Sequence, residues 1–328
     1  MKAITHSIYG PPDVLQVEEV AKPVPGDDEV LIRVRAAEAT KADCELRSFR
    51  FSVKWFWLPL RIASGIRKPR RKILGGYFSG EVESSGKNVE RFSAGDQVFG
   101  AAGLRMGTYA EYVALPASFT IVAKPGNMSF EEAAAVPLGG LNALHFMRLA
   151  EIRRGEKVLV NGAGGSIGAH AVQIAKSLGA EVTAVDSSIK EEFVRRIGAD
   201  HFIDYMTEDF TANAGAYDVI FDMVPGSSYG ACIKALTTNG RYLSGNPRLS
   251  VMLRAVLTTR FTRKTARFAF AREAEEELLA LKGMIEEGKI GSIVDRVYPM
   301  EQAGEAHRRV EAEQRLGAVV IAMNCQQG

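Results

Sequence analysis

The 328-residue chain has only three cysteines, Cys44, Cys232 and Cys325, and they are far apart. Without a C-x-x-C pair, neither a disulfide framework nor a four-cysteine zinc lobe is expected, and a reducing, cytoplasmic compartment is favoured. The N-terminal segment lacks the apolar core of a signal peptide, and no run of roughly 18 apolar residues occurs. We therefore expect a cytoplasmic protein without a transmembrane segment.

A strong charge of one sign is also missing. The formal net charge is +2, so no overall field recruits nucleic acid, and a small-molecule partner is favoured. Two local stretches are strongly basic, residues 49–72 and 248–272. We predict a pair of cationic surface helices with buried apolar faces. One alternative is a lid or a lipid-facing surface, in peripheral contact with a membrane, around an apolar substrate. The other, which the near-neutral overall charge disfavours, is nucleic-acid binding.

Hydrophobic periodicity changes along the chain. From residue 2 to about 122, short segments with period-two alternation are separated by Gly, Pro and Asp turns, a pattern typical of a small β barrel or sandwich. Ser129 with Glu132 then forms a capping-box pattern before an apolar helix. Beyond it, apolar strands alternate with helical segments. This alternation predicts an α/β domain with a parallel sheet covered on both faces.

The strongest motif is "KVLVNGAGGSIGAHAVQIAKSLGAEVTAVDSS". An apolar strand ends at about Asn161, a glycine-rich turn follows, and a helix runs to about residue 178. The turn has the spacing A-x-G-x-x-G, in which Gly165 lets the backbone approach a pyrophosphate and Gly168 lets the helix pack on the strand. The helix N-terminus offers N–H groups to that anion. We predict dinucleotide binding by Ala163, Gly164, Gly165, Ser166, Ile167 and Gly168.

The choice of cofactor depends on the end of the second strand. Asp186 carries a carboxylate about 20 positions after the turn, where it accepts hydrogen bonds from ribose hydroxyls and repels a 2′-phosphate. That favours NAD(H). Ser187, Ser188 and Lys190 argue for the alternative, NADP(H), because all three side chains suit a phosphate.

Several phrases together resemble the medium-chain dehydrogenase/reductase superfamily, and most closely its zinc-free, quinone oxidoreductase-like branch. They are "SGEVESSGKNVERFSAGDQVFG", "YAEYVALP", "KPGNMSFEEAAAVPLGGLNAL", "VQIAKSLGAEVTAV" and "GADHFIDY". The resemblance implies a GroES-like β-barrel catalytic domain plus a doubly wound Rossmann sheet, often in dimers. We expect the catalytic domain at 1–123 and 271–328, and the dinucleotide-binding domain at 124–270.

Zinc-dependent relatives in this superfamily carry metal ligands at positions that this chain fills differently. Thr40 aligns with their first cysteine, and Gly76 replaces the histidine of their G-H-E motif. Their third ligand has no counterpart around "VPLGGLNA". Because catalytic zinc requires three protein ligands, we predict a site without metal. Cys44 falls four positions after the ligand position, and we expect it to be a small buried side chain.

A site without zinc needs another group to meet the negative charge that develops on a reduced carbonyl. The resemblance places Thr40 and Lys41 in the loop that meets the nicotinamide. Thr40 would hydrogen-bond the substrate or the nicotinamide ribose, and Lys41 would stabilise the oxyanion or contact the pyrophosphate. Tyr77 is a candidate proton donor. The alternatives are an ordinary turn for the first two residues and a packed aromatic for Tyr77. We expect Asp43 to hold the local loop.

Further cofactor contacts follow from the resemblance. Tyr205 aligns with a tyrosine near the adenosine phosphates, and a turn after the fifth strand should face the nicotinamide. The fourth strand ends beside the adenosine or nicotinamide ribose. The residues concerned are Tyr205, Met223, Val224, Ser244, Gly245 and Asn246.

These observations predict an NAD(P)-dependent, zinc-independent oxidoreductase acting on a quinone, a conjugated enone or another activated carbonyl. "WFWLPL" is a candidate wall for an apolar substrate. One alternative is a dehydrogenase of a small or apolar alcohol. Another is a weakly catalytic dinucleotide-binding sensor, which would keep the glycine turn but lack a working proton donor.

Overall fold

The computed structural model describes residues 1–51, 57–245, 249–269 and 273–323. Contacts divide the chain into two compact units, Met1–Leu138 with Glu273–Gly328, and Gly139–Arg272. The first unit therefore includes residues 124–138, which the sequence assigned to the second domain. The reason is that a short helix at Phe130–Ala134 packs on five strands of the first unit. The domain bounds remain a proposal.

The first unit begins with strands β1 (Lys2–Thr5), β2 (Gln16–Glu19) and β3 (Glu29–Ala39), followed by helices α1 (Lys41–Ser48) and α2 (Trp57–Ser64). Strands β4 (Tyr77–Ser85), β5 (Gln97–Ala101), β6 (Tyr112–Pro116) and β7 (Ile121–Ala123) come next, then helix α3 (Phe130–Ala134). Helix α4 (Val136–Ala150) leads into the second unit. The capping box predicted at Ser129 and Glu132 is confirmed at the start of α3.

The second unit alternates strands with helices. Its elements are β8 (Lys157–Asn161), α5 (Ser166–Ser177), β9 (Glu181–Asp186), α6 (Glu191–Arg196), β10 (His201–Asp204), β11 (Tyr217–Asp222), α7 (Tyr229–Ala235), β12 (Leu236–Ser244), α8 (Leu249–Phe261) and β13 (Thr265–Phe268). The chain then returns to the first unit with α9 (Glu275–Glu286), β14 (Val294–Pro299), α10 (Ala303–Glu311) and β15 (Ala318–Ala322). Short 3-10 turns lie at Pro12–Val14, Gly103–Arg105, Ser188–Lys190 and Met300–Gln302.

The sheet of the first unit has the order β14-β15-β3-β4-β5-β7, and β6 also pairs with β3. The long strand β3 lies antiparallel to β4, β6 and β15. The core contains Ile32, Val34, Phe78, Val98 and Ile321, all nearly inaccessible to solvent. The C-terminal strands thus complete the sheet that the N-terminal segment begins, as the family resemblance implied.

The second unit contains a parallel sheet of six strands in the order β10-β9-β8-β11-β12-β13. From β8 the chain first builds outward through β9 and β10, and then returns to the other side of β8 with β11. Strand order therefore reverses between β8 and β11. In such sheets the crevice at the carboxyl ends of the strands, at this switch point, is the usual ligand site. The predicted doubly wound sheet is confirmed.

The two basic stretches differ from their prediction. Segment 248–272 contains helix α8 and also a strand, β13, which pairs with β12 at the sheet edge. Only Ala255 of α8 is buried, whereas Leu249, Leu253, Val256, Leu257 and Phe261 are exposed. No residue of α2 is buried. The prediction of buried apolar faces is therefore wrong for both helices, because their apolar side chains are exposed to solvent as well as their basic ones.

Parts of the predicted aromatic wall, Trp55 and Phe56, lie outside the described residues, while Trp57 and Leu58 are exposed. Both cysteines in the described part of the chain, Cys44 and Cys232, are buried, which confirms the expectation for Cys44. Helices within the described ranges are all too short or too polar to cross a membrane.

Candidate active site

The predicted strand, glycine turn and helix are confirmed at β8 and α5. Gly162 has a φ of +85°, a backbone conformation that residues with a Cβ atom rarely adopt. A Cβ at Gly168 would lie only 2.1 Å from the carbonyl oxygen of Gly162, so α5 can approach the turn only because residue 168 is glycine. A Cβ at Gly164 would lie 2.4 Å from Lys190 Cδ. The turn is therefore a tightly closed backbone loop.

The N-terminus of α5 has the features of an anion site. Its N-cap residue, Gly165, provides no side-chain hydrogen bond to the free N–H groups of the first turn. The hydroxyl of Ser166, the first helical residue, is buried and lacks a hydrogen-bond partner within the described residues. Ile167, next to it, is partly exposed. These donors and the helix dipole fit the pyrophosphate of a dinucleotide.

The carboxylate of Asp186 lies beside this turn and is already surrounded by donors. One oxygen accepts from the backbone N–H of Gly164 at 2.8 Å, and the other accepts from the N–H of Ser187 at 2.9 Å. Lys190 Nζ lies 3.0 Å away in a buried ion pair. Asp186 therefore braces the turn, and its charge is offset by Lys190. Tyr205, which follows the paired strand β10, is exposed next to it.

Other predicted cofactor residues meet at the carboxyl ends of β11 and β12. Met223 and Val224 adjoin the glycine turn, since a Cβ at Gly162 would lie 3.3 Å from a methyl of Val224. Gly245 lies against Met223, whose sulfur would be 2.7 Å from a Cβ at that position. Ser244 is buried at the end of β12. Asn246 lies outside the described residues.

One residue that orders this edge was not predicted. Asp222, buried at the end of β11, accepts from Asn161 Nδ2 at 2.9 Å and from the Tyr242 hydroxyl at 2.8 Å. It also accepts from the backbone N–H of Val224 at 3.1 Å. Burial raises the pKa of this carboxyl. Asp222 thus ties β8, β11 and β12 together where the predicted cofactor residues lie. Its only sequence signal is an acid that ends an apolar strand.

In the first unit, the segment after β3 is the start of a helix rather than an ordinary turn. Thr40 is the N-cap of α1: its Oγ1 accepts from the N–H of Asp43, and the Asp43 carboxylate accepts from the N–H of Thr40 at 3.1 Å. The other carboxylate oxygen accepts from the N–H of Gly75 at 3.0 Å. Asp43 therefore holds the end of β3 to the segment before β4, and its burial raises the pKa of its carboxyl.

The antiparallel register of β3 and β4 brings Thr40 and Tyr77 to the same end of the sheet, because Ala37 pairs with Phe78. Gly76 precedes Tyr77, and a Cβ at Gly76 would meet no atom within 4 Å. Open space therefore exists at the position that a histidine occupies in zinc-dependent relatives. Tyr77 is half-buried, and its hydroxyl donates to Glu273 at 2.9 Å.

Lys41 is directed elsewhere. Its ammonium lies 2.6 Å from Glu313 in a largely exposed ion pair. The predicted role of Lys41 toward the oxyanion stays a prediction, as does the role of Thr40, whose hydroxyl serves the helix cap. Among the described residues, no group of three His, Cys, Asp or Glu side chains is placed to hold a metal ion.

Cys44 lies in a buried polar cluster that the sequence did not reveal. Its sulfur lies 3.4 Å from His307 Nδ1, to which Arg47 Nη1 donates at 3.0 Å. The Tyr109 hydroxyl lies 3.2 Å from His307 Nε2. Burial raises the pKa of the Cys44 thiol, and burial together with Arg47 lowers the pKa of His307 to about 3. Cys44 is therefore a protonated packing residue rather than a nucleophile.

Comparison with known proteins gives matches over both units. The alcohol dehydrogenase GroES-like domain model matches residues 26–126, and the zinc-binding dehydrogenase model matches residues 197–321. Quinone oxidoreductase of Pseudomonas aeruginosa is 30% identical, with 98% of this chain and 99% of that protein covered. The 2-methylene-furan-3-one reductase of Solanum lycopersicum is 30% identical, with 98% and 79% covered. The solved quinone oxidoreductase structure from Coxiella burnetii has a TM-score of 0.87 at 29% identity, with 99% of both chains covered.

Proposed function

The chain belongs to the medium-chain dehydrogenase/reductase superfamily, in its quinone oxidoreductase-like branch, and from this premise we propose its reaction. It is an NAD(P)-dependent oxidoreductase that transfers a hydride to a quinone, a conjugated enone or another activated carbonyl. The relatives named above include one quinone oxidoreductase and one reductase of an unsaturated ketone, which supports this substrate class.

The observation that carries the proposal is the closed glycine turn at the uncapped N-terminus of α5. In the proposal, the N–H groups of the first turn of α5, which begins at Ser166, and the hydroxyl of Ser166 hold the pyrophosphate. Asp186 and Lys190 lie beside the adenosine ribose, and Met223, Val224 and Gly245 line the other half of the dinucleotide. When bound, a reduced nicotinamide supplies a hydride, which carries two electrons.

The substrate half of the proposal uses the end of β3 and β4. In the proposal, the open space beside Gly76 takes the carbonyl end of the substrate, and Tyr77 supplies the O–H group that replaces a metal ion. The Thr40 hydroxyl donates to the Asp43 carboxylate at 2.5 Å and would contribute only by leaving that bond. Asp43 fixes the backbone that carries Thr40 and Tyr77. Zinc independence is part of this proposal, and elemental analysis of the purified protein tests it; a stoichiometric zinc content would contradict it.

We further propose that NAD(H) is preferred over NADP(H) by a small margin. The Asp186 carboxylate repels a 2′-phosphate, but the buried ion pair with Lys190 offsets most of that repulsion. A homodimer in the cytoplasm, without nucleic acid as a partner, completes the proposal; light scattering on the purified protein measures the assembly.

The test is consumption of NADH and of NADPH against a panel of quinones, conjugated enones, aldehydes and alcohols. Cofactor affinity is measured in parallel by quenching of protein fluorescence. We expect turnover with quinones and enones, and weaker turnover with simple aldehydes. Tight cofactor binding without turnover of any substrate would instead identify a dinucleotide-binding sensor.

A further inference from the structure

Tyr77 has a partner that neither the motifs nor the family resemblance assigned. Its hydroxyl donates to Glu273 Oε1 at 2.9 Å, although the two residues are 196 positions apart. Glu273 itself is held in place, because the hydroxyl of Thr120 donates to its backbone carbonyl at 2.6 Å. Tyr77 directly follows Gly76, where an added Cβ would meet no atom within 4 Å, and Glu273 Oε2 would lie 3.6 Å from a Cβ at Gly103. A phenol and a carboxyl group are thus joined one residue after the proposed substrate position.

The two members of the pair differ in their access to water. Tyr77 is half-buried at the start of β4, whereas Glu273 is exposed. A carboxyl group in that position exchanges protons with solvent directly, while the phenol is partly screened from it. Protons can therefore enter at Glu273 and leave at Tyr77.

We propose that Glu273 is a positioning residue that frees the Tyr77 hydroxyl for the substrate when it is protonated, and that it then returns the proton that Tyr77 has given away. This inference rests on the proposed function. As a carboxylate, Glu273 accepts the Tyr77 O–H and withholds that proton from the substrate. As a carboxylic acid, it donates to the Tyr77 oxygen, and the phenolic O–H turns toward the substrate.

A conjugated enone receives a hydride at its β-carbon from the reduced dinucleotide, which becomes oxidised, and an enolate forms. The Tyr77 O–H bond breaks and its proton converts the enolate to the saturated ketone. The Tyr77 oxygen then takes the proton of the Glu273 carboxylic acid, and the carboxylate regains a proton from water. A quinone differs, because the anion formed by hydride addition is a stable phenolate that takes its proton from solvent.

The electrostatics of the pair agree with this order of events. Glu273 as a residue is exposed, but one carboxyl oxygen lies against Tyr77 and the other is close to Gly103, and this partial desolvation raises the pKa of the carboxyl, so its acid form persists to higher pH than that of an ordinary glutamate. Desolvation and the Glu273 charge raise the pKa of Tyr77, and the carboxylates of Glu38 and Asp43 add to this. Two charged residues close in sequence to this region are paired among the described residues: Arg105, which lies two positions after Gly103, with Glu29, and Glu275 with Arg91.

The pair predicts that the two substrate types respond differently to mutation. Tyr77→Phe should lower kcat for 2-cyclohexenone at least about tenfold, while reduction of 1,4-benzoquinone changes by less than about threefold, since only the enone needs an enzyme acid. In the wild type, kcat for the enone should fall as pH rises through the pKa of Glu273. Glu273→Gln should lower kcat at low pH and abolish that fall. The matched control is Glu275→Gln, which should retain the wild-type profile.

A second measurement needs neither cofactor nor substrate. In the free protein labelled with ¹³C at glutamate carboxyl groups, the signal missing from Glu273→Gln identifies Glu273. Because the Tyr77 hydrogen bond stabilises the carboxylate and lowers its pKa, Tyr77→Phe should raise the pKa of Glu273 further. An unchanged titration in this variant would overturn the pairing.

These measurements distinguish a failure of the role proposed for Glu273 from a failure of the proposed function. If the wild type reduces both acceptors but Glu273→Gln keeps the wild-type enone rate and pH profile, the role of Glu273 is wrong and the proposed function stands. If the wild type reduces neither acceptor with NADH or NADPH, the proposed function fails, and the role of Glu273 fails with it.

Discussion

The proposed cofactor turn of the second unit and the proposed substrate end of the first unit are built in different ways. In the second unit, the cofactor turn is made of backbone: Gly162, Gly164 and Gly165 with Ala163 close the loop through their own N–H groups, and the first turn of α5 beyond it has no side-chain cap. In the first unit, the substrate end is made of side chains from distant segments, Asp43, Tyr77 and Glu273. A site made of backbone tolerates almost no added atom, whereas a site made of side chains can lose a group and remain folded.

The largest effect should come from adding atoms to the backbone-built half. Gly168→Val places a side chain 2.1 Å from the Gly162 carbonyl, and we expect it to lower the free energy of unfolding by more than about 3 kcal/mol and to abolish dinucleotide binding. Urea unfolding and fluorescence quenching measure both. The control is Gly283→Ala in α9, where an added Cβ meets nothing within 4 Å and should stabilise by about 0.5–1 kcal/mol. A Gly168→Val protein with the wild-type urea midpoint and the wild-type dinucleotide affinity would show that the glycine turn tolerates added atoms after all.

A smaller effect should be common to both units, because each buries a neutral histidine. Burial lowers the pKa of His170 to about 4 in the second unit, and burial with the Arg47 charge lowers that of His307 to about 3 in the first. The unfolded chain takes up these protons near the ordinary value of 6.5, so stability is fully present above pH 6.5 and falls as pH decreases. At pH 4, the preferential protonation of each histidine in the unfolded chain should lower the free energy of unfolding by about 3 kcal/mol.

Asparagine variants test this pH dependence one unit at a time. His170→Asn keeps a donor for the Ser166 carbonyl, and His307→Asn keeps an acceptor for Arg47. Each should flatten the decline in stability between pH 6.5 and 4, measured by urea unfolding at a series of pH values. A decline as steep as that of the wild type in both variants would show that other groups, such as the buried carboxyls, control acid unfolding.

The smallest effect concerns the choice between NADH and NADPH. In the proposal this choice depends on the side chains of Asp186 and Lys190, which lie beside the backbone of the glycine turn. Asp186→Ser should raise the NADPH to NADH ratio of kcat/KM several-fold, about 1 kcal/mol, because Lys190 then faces a 2′-phosphate without its counter-charge. Lys190→Met should change the ratio in the opposite direction. Glu191→Gln, which alters an exposed pair with Arg195, is the control. Equal ratios in all variants would mean that the Asp186–Lys190 pair does not face the ribose.

The same contrast explains what could be predicted from the sequence. The glycine turn and the end of β9 at Asp186 lie within one short motif, so their arrangement followed from spacing. The link between Tyr77 and Glu273 joins residues 196 positions apart, and no local pattern signals it. Strand β13 was missed because four residues, two of them polar or basic, carry little periodicity, and its pairing with β12 alone defines it.

The helix cap at Thr40 was missed for a different reason. The T-x-x-D pattern was present in the sequence, and its counterpart at Ser129 was recognised. Thr40, however, also aligns with a zinc-ligating cysteine of the relatives, so the same four residues indicated a chemical role for Thr40 and Lys41 as well as a helix cap. The cap explains why Asp43 is buried: its carboxylate receives two backbone N–H groups, from Thr40 and Gly75, and so compensates for its desolvation.

The burial of the cysteines has a consequence for the lifetime of the enzyme. Quinones and enones are electrophiles that alkylate exposed thiolates, so an enzyme that handles them is at risk from its own substrates. In the described part of the chain, Cys44 and Cys232 are at most 3% exposed, and burial raises the pKa of Cys232 to about 12 and that of Cys44 as well. Such thiols hold almost no thiolate at neutral pH. These two positions should therefore survive many turnovers without arylation.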